Sequence, residues 1–170
     1  MTYFRPQGLC NGKVERPQIS IVGNLTPSTE EKPSLLTFDE VETIFHEFGH
    51  ALHGMLSNVT YNSLASPDVY WDFVELPSQI LENWLGEKET LHLFAKHYET
   101  QEDISDELIE KIKASQAFNK GLWSLRQLSL GFLDMAWHTT DPANINDVAE
   151  FEKQAMEKTR LLPRVDGANI

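Results

Sequence analysis

The segment from Thr37 to about Ser57 constrains this chain most, because it reads as a helix with ionisable side chains set among apolar ones. Thr37-Phe38-Asp39-Glu40 has the capping-box arrangement, a Thr N-cap with Glu three residues on. Val41, Ile44, Phe45, Phe48, Leu52, Met55 and Leu56 recur at helical spacing and predict a largely buried apolar face. Inside that helix stands His46-Glu47-Phe48-Gly49-His50. Residues four apart share a helix face about 6 Å apart along the axis, so both imidazoles can reach one ion. Glu47 lies about 100° round from His46 and can face a water beside that ion without competing as a ligand. The apolar flanks Ile44, Phe45, Ala51 and Leu52 argue against a solvated surface helix, since unpaired imidazoles are costly to bury.

A catalytic zinc takes three protein ligands and keeps a position open for water, whereas a structural zinc that only staples helices fills all four. The candidates for the third ligand are His53, Asp72, Glu75 and Glu82. His53 shares a face with His46, but a rise of about 10 Å is long for a common ion, so a packed or hydrogen-bonded role is expected. The three carboxylates are not separable by spacing alone.

The rest of the chain predicts a mainly α-helical fold, with residues 1–170 forming one domain: 1–36 irregular with one strand, 37–170 helical. Gln18–Leu25, bracketed by Pro17 and Pro27, reads as the strand, and its edge could pair with an extended peptide. A helix is expected over about 68–85, kinked just after Glu75 because Pro77 has no N–H to offer Phe73. Further helices are expected over about 87–98, from Ser105 through Trp137 with weak points at Gly121 and Gly131, and from Asn144 or Asn146 to about Leu161. Trp71, Trp84, Trp123 and Trp137 are expected to pack internally, and Tyr61, Tyr70 and His138 have no assigned place.

A formal net charge of −12 argues against nucleic acid as a partner, because phosphate would be repelled. Cys10 is the sole cysteine, which excludes an intramolecular disulfide and any cysteine-based zinc finger. No apolar run is long enough to cross a bilayer and the first residues lack a signal-peptide core. No membrane partner and a cytoplasmic location are expected, with the periplasm left open because the N-terminus may have been cut.

Phe45-His46-Glu47-Phe48-Gly49-His50-Ala51-Leu52-His53-Gly54, followed by Asp72-Phe73-Val74-Glu75-Leu76-Pro77-Ser78-Gln79, resembles the thimet oligopeptidase family. Leu35–Val41 and Glu82-Asn83-Trp84 match as well, and Thr159-Arg160-Leu161-Leu162-Pro163 looks closest to that family's peptidyl-dipeptidase Dcp branch. The resemblance implies a zincin-type catalytic core that binds one Zn²⁺ through His46, His50 and Glu75. It implies Glu47 as the base that activates water, and short peptides as substrates of an oligopeptidase or peptidyl-dipeptidase. Glu82, seven residues beyond Glu75, is the candidate to receive the other N–H of a ligating histidine. Ser66-Pro67-Asp68 stands where the family commonly has a Ser-Gly-Thr-like turn. The family's His- and Tyr-rich segment and its large N-terminal helical portion have no counterpart in these residues. The chain is therefore expected to be a partial catalytic domain whose partner is the remainder of the parent enzyme, and to be inactive alone.

Overall fold

The computed structural model of the protein describes residues 2–5 and 7–163. The chain divides into two compact units, Met1–Glu110 and Lys111–Ile170, where the sequence predicts one domain.

The first unit begins with four short strands rather than one. β1 (Thr2–Arg5) pairs antiparallel with β4 (Gln18–Ser20), and β2 (Gly8–Cys10) pairs antiparallel with β3 (Lys13–Glu15). The inner pair turns at Asn11-Gly12, whose φ angles of 48° and 78° are both positive. Asn-Gly suits that two-residue turn because both residues tolerate left-handed backbone. The predicted strand over 18–25 is accordingly shortened to 18–20, and 21–25 carries no regular structure.

α1 (Phe38–Leu56) follows, capped as expected. Thr37 Oγ1 accepts from the Glu40 N–H at 3.2 Å, and Glu40 Oε2 accepts from the Thr37 N–H at 2.8 Å. The other Glu40 oxygen accepts from the Thr26 hydroxyl at 2.7 Å and the Thr26 N–H at 2.6 Å, which ties the preceding loop to the helix start. The Thr26 hydroxyl, followed by the Thr37 and Thr26 backbone amides, holds the Glu40 carboxyl down from 4.5 to about 2. A folded-state value below the unfolded one stabilises the fold above about 4.5 and loses that contribution as pH falls toward 2. Thermal melts of wild type and Glu40→Gln should therefore differ most above that range and converge in acid. A gap that stays constant down to the acid end would remove Glu40's charge from the account.

At the far end of α1, Arg16 donates to the carbonyls of Ser57, at 2.8 Å, and Met55, neutralising the negative end of the helix. Gln7, 1% exposed, accepts from the Val59 N–H at 2.9 Å, so the β-element anchors the segment leaving α1.

The apolar face of α1 is less buried than predicted. Its buried positions are Gly49, Ala51 and Gly54, while Ile44, Phe48, Met55 and Leu56 stay substantially exposed. The small residues are covered because another helix lies very close. After a 3₁₀ turn at Asn62–Leu64, α2 (Trp71–Val74) ends at Glu75, and α3 (Leu76–Glu82) begins at the same residue. α1 and α3 make the most extensive pairing of any two elements. A Cβ at Gly49 would stand 2.5 Å from Ser78 Cα and 2.6 Å from the Pro77 oxygen, so only glycine permits this approach. The helix predicted over 68–85 is thus two helices and a 3₁₀ turn (Asn83–Gly86), broken at Glu75 with Pro77 in the first turn of α3. Proline fits there because the first amides of a helix have no intrahelical acceptor.

α4 (Lys88–Phe94) stops four residues before its predicted end, where Lys96 bridges to Asp103. α5 (Asp106–Ala117) starts at the expected Ser105, whose hydroxyl accepts from the Leu108 N–H. Leu85, Leu91 and Ile109 form the core of this unit, with Phe38, Val41 and Phe45 packed against it.

The long helix expected from Ser105 to Trp137 is broken between α5 and α6 (Lys120–Thr139) at Asn119, where φ is 57°, and both suspected glycines lie inside α6. Asparagine adopts left-handed backbone more easily than most residues. In the second unit α7 (Val148–Met156) packs on α6 through the Trp137 and Phe151 rings, 4.6 Å apart, and just beyond α7 the Thr159 hydroxyl meets that of Ser129 at 2.7 Å. Its N-cap is Asp147 rather than Asn144 or Asn146, because the Asp147 carboxylate accepts from the Glu150 N–H while Asn144 belongs to a 3₁₀ turn. The helix ends at Met156, short of Leu161. Among the described residues no helix is long and apolar enough to cross a membrane.

Candidate metal centre

α1 and the α2–α3 break bring three donor atoms together. His46 Nε2 and His50 Nε2 are 3.2 Å apart, which the spacing of four on one helix allows. Glu75 Oε2 lies 3.3 Å from His46 Nε2 and 3.1 Å from His50 Nε2. The glutamate reaches them because the Gly49 contact brings α3 against α1, and because it sits at the break rather than within a helix.

These distances have a chemical meaning. His46 Nδ1 is 2.6 Å from Glu82 Oε1, a pairing that suits an Nδ1–H donor and would leave the Nε2 lone pair facing the cluster. A lone pair directed at a carboxylate oxygen and a second imidazole is unfavourable unless a cation or a proton lies between them. Zinc donors about 2.1 Å from the ion, in tetrahedral array, stand about 3.4 Å from one another. The three edges here are 3.1, 3.2 and 3.3 Å, so the donor set fits such an ion without rearrangement. Two imidazoles and one carboxylate are also the donor types of an open catalytic zinc site. Among the described residues, His46, His50 and Glu75 are the group of metal-ligating type whose donor atoms all lie within 4.8 Å of one another.

The other candidates fall outside the cluster. Asp72 is exposed in the first turn of α2. Glu82, at the end of α3, meets the outer nitrogen of His46 rather than the cluster itself. His53 packs edge-on against the Phe73 ring at 5.8 Å, and burial, followed by the nearby His50, holds it below the ordinary histidine value. Glu47 is half-buried one residue along α1 from His46. The Nδ1 atom of His50 is buried and has no hydrogen-bond partner among the described residues, in contrast to that of His46.

Two features of the site escaped the sequence reading. Ser78 is fully buried, with its hydroxyl 2.8 Å from Glu75 Oε2. Gly49 provides the clearance for it, and a glycine between two histidines four apart was the available signal. Of the four tryptophans only Trp137 packs as predicted. Trp71 is 93% exposed, Trp123 62% and Trp84 54%, on faces that these residues do not cover. Tyr61 and Tyr70 are also exposed, and His138 bonds back to the Asp134 carbonyl within α6.

A family model described as peptidase family M3 matches residues 1–170. The organellar oligopeptidase A of Arabidopsis thaliana is 42% identical over 152 residues, 88% of this chain and 19% of that protein. Oligopeptidase A of Haemophilus influenzae is 36% identical over 160 residues, 93% of this chain and 24% of its own length. The dipeptidyl carboxypeptidase of Salmonella typhimurium is 38% identical over 152 residues, 88% of this chain and 22% of that protein. The chain therefore spans about a fifth to a quarter of the length of these relatives.

Proposed function

This chain belongs to peptidase family M3, and from that membership we propose that it forms the metal-binding core of a zinc peptidase. His46, His50 and Glu75 hold a single Zn²⁺, and Glu47 is the base. The observation that carries this reading is the meeting of two imidazole nitrogens and one carboxylate oxygen at 3.1–3.3 Å. Zinc, when bound, supplies a Lewis acid that makes water acidic and polarises a carbonyl.

The chain's own groups do the rest. Glu82 holds the proton on His46 Nδ1, which keeps Nε2 available as a donor and fixes the ring plane. Glu47 accepts a proton from the attacking water as its oxygen adds to the peptide carbonyl. As the carbon–nitrogen bond breaks, Glu47 passes that proton to the departing amine. One proton thus travels from water to amine and the carboxylate is regenerated.

Short peptides are the proposed substrates, in keeping with relatives named oligopeptidase and dipeptidyl carboxypeptidase. The remainder of a longer protein would supply the other walls of the substrate site. Metal analysis of wild type and Glu75→Gln tests the ligand set. Wild type should retain one zinc per chain, and the variant should lose affinity by more than the roughly 10–100-fold typical of removing an outer hydrogen-bond partner. Undiminished zinc in Glu75→Gln would overturn the assignment and turn attention to Asp72 or Glu82.

A further inference from the structure

Ser78 has two acceptors within reach of one hydroxyl proton. Its Oγ lies 2.9 Å from the Glu75 carbonyl oxygen and 2.8 Å from Glu75 Oε2. A serine in a helix commonly bonds the carbonyl three or four residues back, which accounts for the first contact. It does not account for the second. Oε2 is the same oxygen that lies 3.3 and 3.1 Å from the two imidazole nitrogens. An ionised carboxylate is also a stronger acceptor than a carbonyl that serves the helix, since Glu75 O already accepts from the Gln79 N–H at 2.9 Å.

We infer that Ser78 is the positioning residue for Glu75, its hydroxyl holding Oε2 at the convergence of His46 and His50. The inference rests on the reading of Glu75 as a metal ligand. The Glu75 side chain is 49% exposed and stands at a break between helices, so it has many rotamers to lose before it can serve as a donor. Ser78, by contrast, is packed in place. It is 0% exposed, and its Cα is pressed against Gly49 of α1, the same helix that carries both histidines. The hydroxyl therefore has no water to turn to. Its proton transmits the position of α1 to the carboxylate, and the three donors are matched in space before any cation arrives.

Zinc affinity, measured by competition with a chelator in the full chain, tests this through four proteins: wild type, Ser78→Ala, Glu75→Ala and the double variant. Ser78→Ala should weaken zinc binding by roughly 10–100-fold, the range for losing a hydrogen bond to a ligand. In the Glu75→Ala background the same change should alter the residual affinity by less than about twofold, since the hydroxyl acts only through Oε2. Circular dichroism of the zinc-free Ser78→Ala protein should match that of wild type. An affinity loss of equal size in both backgrounds, or none in either, would overturn the positioning role. Loss of helical signal in zinc-free Ser78→Ala would assign the hydroxyl to the fold and overturn it equally. Unchanged affinity in Glu75→Ala would instead remove Glu75 from the ligand set, and the positioning role with it.

Discussion

Replacing Glu47 by Gln is expected to leave zinc content intact and to lower peptide hydrolysis by roughly 10²–10⁴-fold in the full-length protein, the usual cost of removing a positioned general base. The amide has nearly the shape of the carboxylate but cannot take up a proton. Glu47 belongs to the same helix turn as His46 and His50, about 100° round from His46, so the substitution leaves both imidazole donors where they are. Zinc analysis and turnover on the same preparation separate the two effects. A variant that kept its zinc and turned over substrate at near the wild-type rate would end the role given to Glu47.

The 170 residues alone should hydrolyse a quenched fluorescent peptide at least about 10²-fold more slowly than a protein of the relatives' length containing them. The described site is open: the side chains of Glu75 and His46 are 49% and 27% exposed. Trp71, Tyr70, Phe73 and Leu76, which flank Glu75 in the chain, are exposed as well. A peptide on such a surface would compete with water for every hydrogen bond and would lack the fixed orientation that lowers the entropic barrier. An oxyanion donor on such an open surface would have to compete with water, and the loss of one such donor alone costs roughly 10²–10³-fold. Turnover within about tenfold of the longer protein would show that these residues suffice.

How much of this was legible depended on whether the signal was local. The capping box at Thr37 and Glu40 specified where α1 begins, and the placement of His46 and His50 on one turn followed from helix geometry. The break at Glu75 was legible from Pro77, a residue whose constraint acts on its own backbone. Spacing could not choose Glu75 over Asp72 or Glu82, because that choice depends on where α3 crosses α1. Resemblance to a known family supplied the choice. The Ser78 contact and the exposure of three tryptophans were hidden for the same reason, since both are set by which surfaces meet. The Asn11-Gly12 turn and the left-handed Asn119 were local after all, and attention to asparagine backbone preferences would have located both breaks.

The closeness of α1 and α3 in the chain bears on the order in which the molecule assembles. Among the three donors and the carboxylate that meets the outer nitrogen of His46, His46 and Glu82 are the most widely separated, and they stand only 36 positions apart in the chain. Joining groups at that separation costs little chain entropy, because the closure cost grows only with the logarithm of loop length. The donors can thus meet during synthesis, once the pair of helices has left the ribosome and before later parts of the chain exist. A cation captured at that stage would bind the helices to each other and favour their pairing over competing arrangements.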